Sequence, residues 1–414
     1  MPGALDGLKI VDMTIVALGP YATMLLGEQG AEIIKVESPD GDTTRHVGPS
    51  KVTKGMGPHH MFVNRNKRSL CLDLKQPAAR DALFKVIASA DALIYSIRPQ
   101  AMVRLGLGYD AVRQVNPGIC YVGACGYASD GPYGHLPAYD DAIQALSGVA
   151  ALMGGDGAPR YAPTVMADKT VGLTLAYAAL CALMHKVRTG EGQKVEVPMF
   201  ETMVSWLALE HLWERTFSDD GTLGYPRALA ASRKPYRAQD GWLAILPYTD
   251  RHWRKFFEIA GRPEVMNEPR FATMNARSQN VEEMYQLIEA LAPQKTVAQW
   301  VAALEAAEVP CMPVKSLDQL FDDPHLKWAG LFHKTQHHSE GEVTMIAPPI
   351  RFDATPSTHH RGAPLLGEDS TVVLREAGVP EADIAALKKS GAMIEPSPPA
   401  ERGEREGPTR SVGG

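Results

Sequence analysis

Asp168 stands in Ala162-Pro163-Thr164-Val165-Met166-Ala167-Asp168-Lys169-Thr170, just before an apolar run that reads as a helix over 171–186. An aspartate there fits a helix N-cap, where its carboxylate accepts hydrogen bonds from the first free N–H groups. The same carboxylate at a helix N-terminus stays ionised and faces the loop-lined end of a sheet, where α/β clefts lie, so it could act as a nucleophile. Tyr139-Asp140-Asp141 follows a Gly/Pro-rich loop over 126–137 and precedes an apolar helical stretch over 142–151. Its two acids read as capping and charging that helix start. Lys35, Lys75, Arg98 and Arg104 lie at or just beyond predicted strand or helix ends. Singly each is a solvated charge; together they could hold the phosphates of an anionic cofactor.

Other chemistries lack their residues. No Gly-x-Gly-x-x-Gly follows a predicted strand, since Gly155-Asp156-Gly157 and Gly190-Glu191-Gly192 both lack the third glycine. No Gly-x-x-x-x-Gly-Lys-Ser/Thr loop is present, which removes the common ATPase and kinase option. His59-His60, His337-His338 and His359-His360 are adjacent pairs whose rings diverge, so they do not chelate as i, i+4 pairs do, and they read as surface histidines. Cys71, Cys120, Cys125, Cys181 and Cys311 are odd in number and widely spaced, as suits reduced core thiols. Neither a disulfide nor a metal site follows from them.

The elements that must position these residues begin with a βαβ unit: strand over 8–13, Gly19-Pro20 as the turn, helix over 21–29, strand over 32–37. Strands over 70–74, 92–96 and 120–124, with a helix over 77–90, continue the pattern and predict a mostly parallel sheet with right-handed crossovers. The fold class is α/β, a Rossmann-like doubly wound large domain. Helices over 171–186 and 198–217 read as core and interface material. The texture changes after Phe217. A linker over 218–226 leads to a strand over 242–246 and amphipathic helices over 251–260, 281–292 and 296–307, a smaller α+β domain. Short strands over 342–346 and 350–352 and a helix over 368–377 follow, and residues 395–414 are too poor in apolar groups to order themselves. The expected division is 1–217 large domain, 218–335 linker and small domain, 336–394 a segment returning to the large domain, and 395–414 a disordered tail.

The whole chain has 414 residues, with 42 basic and 48 acidic side chains for a formal charge of −6, and is 45% apolar and 22% charged. That length suits two or three domains and a catalytic cleft. The absence of a basic run argues against nucleic acid. No stretch of 18 apolar residues and no signal-like N-terminus is found, so no membrane partner and a cytoplasmic location are expected.

A further set of short stretches carries a resemblance. Gly7-Leu8-Lys9-Ile10-Val11-Asp12-Met13, Gly19-Pro20, Gly30-Ala31-Glu32-Ile33-Ile34-Lys35-Val36-Glu37, Gly41-Asp42-Thr43-Thr44-Arg45, Asn66-Lys67-Arg68-Ser69 and Leu72-Asp73-Leu74-Lys75 open the series. Tyr139-Asp140, Ser147-Gly148, Asp168, Thr189-Gly190-Glu191-Gly192-Gln193-Lys194-Val195, Gly241-Trp242, Pro310-Cys311-Met312-Pro313-Val314, Asp323-Pro324 and Pro364-Leu365-Leu366-Gly367-Glu368 complete it. In order and spacing the chain resembles the class III CoA-transferases of the CaiB/BaiF type, a family that includes formyl-CoA transferase, carnitine CoA-transferase and, as a relative, α-methylacyl-CoA racemase. Only the tail falls outside the resemblance.

That resemblance implies an enzyme that moves CoA reversibly between an acyl-CoA and a carboxylic acid, with acyl-CoA as substrate and neither prosthetic group nor metal. Asp168 falls on the family's nucleophilic aspartate, which forms an aspartyl anhydride and then an aspartyl-CoA thioester. Asp140 matches an acidic residue near the reacting centre, with Tyr139 beside it. Lys75 and Arg104 match positions that meet the CoA nucleotide, Leu72 one beside the adenine, and Val16, Ala17 and Leu18 a loop whose backbone N–H groups could stabilise an oxyanion. Three departures stand out. Ser38 replaces a phosphate-binding Arg, so Arg45 or another cation is expected to substitute. Ala17 replaces a polar Gln. The Gly-rich lid gives way to something like residues 228–237, so a different segment is expected to keep water from the anhydride. These changes argue against oxalate and formate, and leave dicarboxylic or aromatic acids open.

Two alternatives remain beside transfer. A racemase on the same scaffold would need a histidine where Tyr139 stands, and a phenol, ionising near 10, is a poor partner for proton exchange at neutral pH. The other is a CoA-binding protein without transfer activity, which the presence of Asp168 disfavours. The resemblance also implies an interlocked homodimer.

Overall fold

The computed structural model describes residues 3–396. The chain forms two compact units, one from residues 1–143, 165–203 and 331 onward, the other from 144–164 and 204–330. These boundaries fall earlier than those expected at 217 and 335, and a short piece before Asp168 joins the second unit.

In the first unit β1 (Lys9–Met13), β2 (Glu32–Glu37), β3 (Lys67–Leu72), β4 (Ala92–Tyr95), β5 (Cys120–Cys125) and β6 (Lys194–Pro198) form a parallel sheet in the order β3-β2-β1-β4-β5-β6. A two-residue strand, Met393–Ile394, adds antiparallel to β3, Met393 opposite Leu72. The mixed α/β architecture with a parallel central sheet follows from the sequence pattern: β4 and β5 are buried along their whole length, as near-continuous apolar strands covered on both faces must be. The order reverses between β1 and β4. At such a switch point the loops leaving the carboxyl ends of adjacent strands run in opposite directions and open a crevice.

β1, β2 and β3 nevertheless carry charge into the sheet. Asp12, Lys35, Glu37 and Lys67, with Asp42 and Arg45 from the loop after β2, are all at most 5% exposed, three of each sign. Lys67 Nζ lies 3.0 Å from Asp12 Oδ2, Lys35 Nζ 3.0 Å from Asp42 Oδ2, and Arg45 Nη2 2.7 Å from Glu37 Oε2.

The Met166–Thr189 helix has the length and apolar composition of a membrane span. In this unit Val171, Leu175, Ala179 and Leu183 bury one of its faces, while Leu173, Tyr177, Met184 and Val187 are more than half exposed on the other.

The second unit is built on a three-stranded antiparallel sheet, Tyr236–Arg237, Trp242–Ile245 and Cys311–Pro313. Helices packed on it close a core containing Trp253, Phe256, Phe257, Phe271 and Trp300. Trp300 satisfies its buried ring N–H on Ala292 O at 2.8 Å.

Several local expectations change. No strand forms over 350–352; Pro348 and Pro349 remove two donors, and Gly341–Ile346 pairs instead with Phe332–His337. The helix expected over 142–151 breaks at Gly148, whose φ is +92°, into Asp140–Leu146 and Val149–Gly154. The helix expected from Pro198 begins at Met199, because 194–198 is strand β6. Its half-polar alternation Lys-Val-Glu-Val-Pro hides it among the buried strands. Glu381–Lys389 is an additional helix. The tail expected to be disordered lies outside the described residues beyond Pro396; Glu395, its first residue, accepts from Thr371 N at 2.8 Å and pairs with Lys388. His60 and His337 are buried, contrary to a surface reading of all six paired histidines.

Candidate active site

After β1 the chain turns through residues 14–17 into the Leu18–Glu28 helix. The turn is tight: a Cβ on Gly19 would lie 2.3 Å from Thr14 Cβ, so only glycine fits. Val16 sits in the left-handed region at φ +67°, an outlier for a β-branched residue. Its N–H points at both oxygens of Asp42, 3.3 and 3.2 Å away. Asp42 is fixed in turn by Lys35 Nζ and by Thr44 N at 2.9 Å. Burial alone would raise the Asp42 carboxyl, but Lys35 and the Thr44 hydrogen bonds outweigh it and hold it well below the usual carboxylate range. Glu37 falls to about 2 by the same balance, burial opposed by Arg45. The strained residue is thus anchored to a buried, neutralised charge network.

The loops of the switch point meet directly, Ile15 N donating to Ser96 Oγ at 3.0 Å. A cavity of about 340 Å³ opens there, lined among others by Val16, Ala17, Leu18, Arg104, Tyr139 and Asp168. Leu72 and Lys75 line a neighbouring cavity of about 180 Å³, and Ile15 and Ile97 line both. Asp140 lies behind Asp168, its Oδ2 accepting the Asp168 N–H at 2.9 Å. Val16, Ala17, Leu18, Arg104, Tyr139 and Asp168 therefore line one cavity, Leu72 and Lys75 line the adjoining one, and Asp140 bonds to Asp168. Ser96, Ile97 and Cys125, also in the larger cavity, were missed; Ser96 and Ile97 directly follow β4, which is the available signal.

Four expectations are corrected by geometry. Asp168 is not the N-cap of its helix; Val165 holds that position and Asp168 is in the first turn. Lys35 cannot meet a phosphate, being fully buried on Asp42 and on Thr14 O. Arg45 cannot replace the missing Arg at Ser38, because both its Nε and Nη2 donate to Glu37. Ser38 shares its cavity with Lys75. Among the loop N–H groups, that of Val16 is taken by Asp42. The Ala17 and Leu18 N–H groups, at the start of a helix, have no intrahelical acceptor, and both residues line the cavity.

Burial, then Asp140 and Asp141, push the Asp168 carboxyl up to about 7. Its own helix N-terminus opposes this, favouring the anion. The outcome is a poorly solvated carboxylate at the mouth of an apolar cleft, suited to attack an electrophilic carbon. Cys125 in the same cavity is pushed far up by burial and by Glu196, so its thiol stays protonated. Among the described residues no group of His, Cys, Asp and Glu is placed to hold a metal ion.

The model of CoA-transferase family III matches residues 5–370 of this chain. The chain belongs to CoA-transferase family III. Among relatives, an acyl-CoA transferase of Fusarium pseudograminearum is 31% identical over 94% of this chain and 88% of its own. An acetyl-CoA:oxalate CoA-transferase of Acetobacter aceti is 30% identical over 92% and 97%. The mouse succinyl-CoA:glutarate CoA-transferase is 29% identical over 90% and 86%. Among solved structures, Rv3272 from M. tuberculosis superposes with a TM-score of 0.79 at 28% identity over 90% of this chain and 99% of its own. A CAIB/BAIF family protein from Brucella suis gives 0.77 at 28% identity, over 91% and 100%. As a family III member the chain is an enzyme that transfers CoA, and the thioester of CoA is its substrate.

Proposed function

We propose that this family III enzyme transfers CoA from an acyl-CoA donor to a small carboxylic acid through covalent intermediates on Asp168. A carboxylate oxygen of Asp168 attacks the thioester carbonyl carbon, the C–S bond breaks, and CoA leaves as thiolate, giving an aspartyl anhydride. The thiolate attacks the aspartyl Cγ, the Cγ–O bond to the donor acid breaks, and the donor carboxylate departs from an aspartyl-CoA thioester. The acceptor acid runs both steps in reverse. Each covalent state is about as activated as the thioester that enters, so no external energy source is required.

The observation that carries this reading is that Asp168 shares one cleft at the switch point with Ala17 and Leu18, residues at a helix start whose N–H groups have no intrahelical acceptor. Those donors suit the oxyanion of each tetrahedral intermediate. Arg98 and Arg104 in the same cleft and Lys75 in the adjoining cavity suit the phosphates of CoA, with Leu72 beside the adenine. Asp140, through the Asp168 N–H, orients the first turn of the helix. Tyr139 at 71% exposure lies at the mouth, where a racemase would need a histidine. We further propose that the two units act as large and small domains of an interlocked homodimer. The exposed stripe Leu173, Tyr177, Met184 and Val187 supports self-association, and a monomer by light scattering would contradict it.

Asp168→Ala is expected to abolish exchange between acyl-CoA donors such as succinyl-CoA or acetyl-CoA and a panel of acids. Borohydride or hydroxylamine should trap an adduct on Asp168 of the wild type. Normal exchange by Asp168→Ala would refute the covalent route, and deuterium wash-in at the acyl α-carbon without exchange would favour racemisation.

A further inference from the structure

We propose that a cavity of about 150 Å³ in the second unit binds a small carboxylic acid with a ring-sized apolar body, with Arg227 as its counter-ion. Arg227 lies on the Pro226–Leu229 turn of helix. Its Nε donates to Tyr285 Oη at 2.9 Å, and its guanidinium carbon lies 4.9 Å from the centre of the Tyr248 ring. Tyr225 lines the same cavity. Phenols hold the fork in place without matching its charge, and its other N–H donors remain for a ligand.

The contrast with Arg277, across the same cavity, is informative. Arg277 pairs with Asp250 and donates to Phe271 O at 2.9 Å, so it is neutralised by the protein. Among the described residues no carboxylate pairs with Arg227, although it is partly buried. A half-dehydrated guanidinium stacked on an aromatic face and lacking an anion is completed best by a carboxylate, which can take two parallel N–H bonds.

The walls set the rest of the ligand. Trp253, Val281 and Met284 are apolar and Tyr248 offers a ring face, and a cavity of this size holds about one benzene ring. No acid and no thiol line it, so it is a binding site and not a second reacting centre. A nucleotide is too large for it. The inference does not rest on the chemistry assigned to Asp168.

The test is calorimetric titration of the full-length protein with benzoate, with CoA present to fill the acyl cleft. Benzoate is expected to bind, benzamide far more weakly. Arg227→Gln should weaken benzoate by about ten- to a hundredfold, Arg227→Lys should restore part of the loss, and Asp168→Ala should leave binding intact. Should Arg227→Gln misfold, Tyr248→Leu, which keeps the cation and removes its stacked ring, is expected to weaken benzoate several-fold. The proposal is overturned if neither benzoate nor cyclohexanecarboxylate binds, if benzamide binds equally, if Arg227→Gln or Tyr248→Leu binds as the wild type does, or if CoA or Asp168→Ala abolishes the signal.

Discussion

A carboxylate whose pKa is raised to about 7 is only half ionised at neutral pH. If Asp168 is the nucleophile, the rate of CoA exchange rises with pH through about 7 and levels one to two pH units higher, and a profile flat from pH 5 to 9 would contradict this. The same shift has a consequence for stability. Between the ordinary value of 3.8 and about 7 the native state keeps a proton that the unfolded chain has lost, so stability falls as pH rises across that window and stays lower above it. Asp168→Asn removes the penalty. Urea unfolding should show the variant more stable than the wild type by about 1–3 kcal/mol at pH 8 and little different at pH 4. Asp42 behaves in the opposite sense, since its carboxyl is held low. Asp42→Asn leaves Lys35 buried without its closest anion and leaves one amide oxygen to serve the donors that two carboxylate oxygens now share, and is expected to destabilise the fold by about 3–5 kcal/mol at pH 7. A loss under 1 kcal/mol would mean that the network around Val16 does not anchor the loop. Cys125 completes the residue-scale picture: if this cleft takes an acyl thioester, a free thiolate there would compete for the acyl group, and burial keeps the Cys125 thiol protonated.

Two helices must approach closely for Asp168 and the Ala17–Leu18 donors to share a cleft, and Gly172 permits it. Gly172 lies one turn below Asp168 on the same helix face. A Cβ there would stand 2.8 Å from Leu18 O and 3.0 Å from Tyr21 Cδ1. Gly172→Ala gains helix propensity of about 1 kcal/mol but must displace the start of the Leu18–Glu28 helix. Its melting temperature should therefore change little while kcat falls at least tenfold; an unchanged kcat would show that the donors are not positioned by this contact. Such proximity was not legible in the sequence, where residues 18 and 172 are far apart. Legible elements were those with strong periodicity: β1, β2, β4 and β5 and the long apolar helix. The strand β6 and the Met393–Ile394 strand were missed because one alternates like a surface strand and the other is two residues long. In the candidate site, the resemblance pointed to Asp168 and the Val16–Leu18 turn, which line one cavity. The misreading of Lys35 and Arg45 as phosphate ligands has a physical origin: a cation near a strand end looks the same in sequence whether it faces solvent or is matched by a buried acid.

The large unit is assembled from three separated pieces of chain. Its last piece does more than cover a surface. Asp369 Oδ2 accepts from Ser69 N at 2.9 Å, Ser370 Oγ from Cys71 N at 3.0 Å, and Ser69 Oγ accepts from Gly367 N at 2.9 Å, while Met393–Ile394 pairs the remaining edge of β3. A chain ending at residue 330 would leave that edge bare beside Leu72, and it is expected to elute as aggregates in gel filtration; a soluble, cooperatively melting product would show the first two pieces to be self-sufficient. The same strand bears on the timing of biosynthesis. At a ribosomal pace of about 5–20 residues per second, β3 emerges roughly fifteen seconds to a minute before the residues that pair with it. During that interval the nascent sheet has an open edge at the place where Leu72 stands, and the second unit is synthesised meanwhile. A cell making this enzyme quickly therefore needs either a chaperone on that edge or a slow enough supply of nascent chains that two such edges seldom meet.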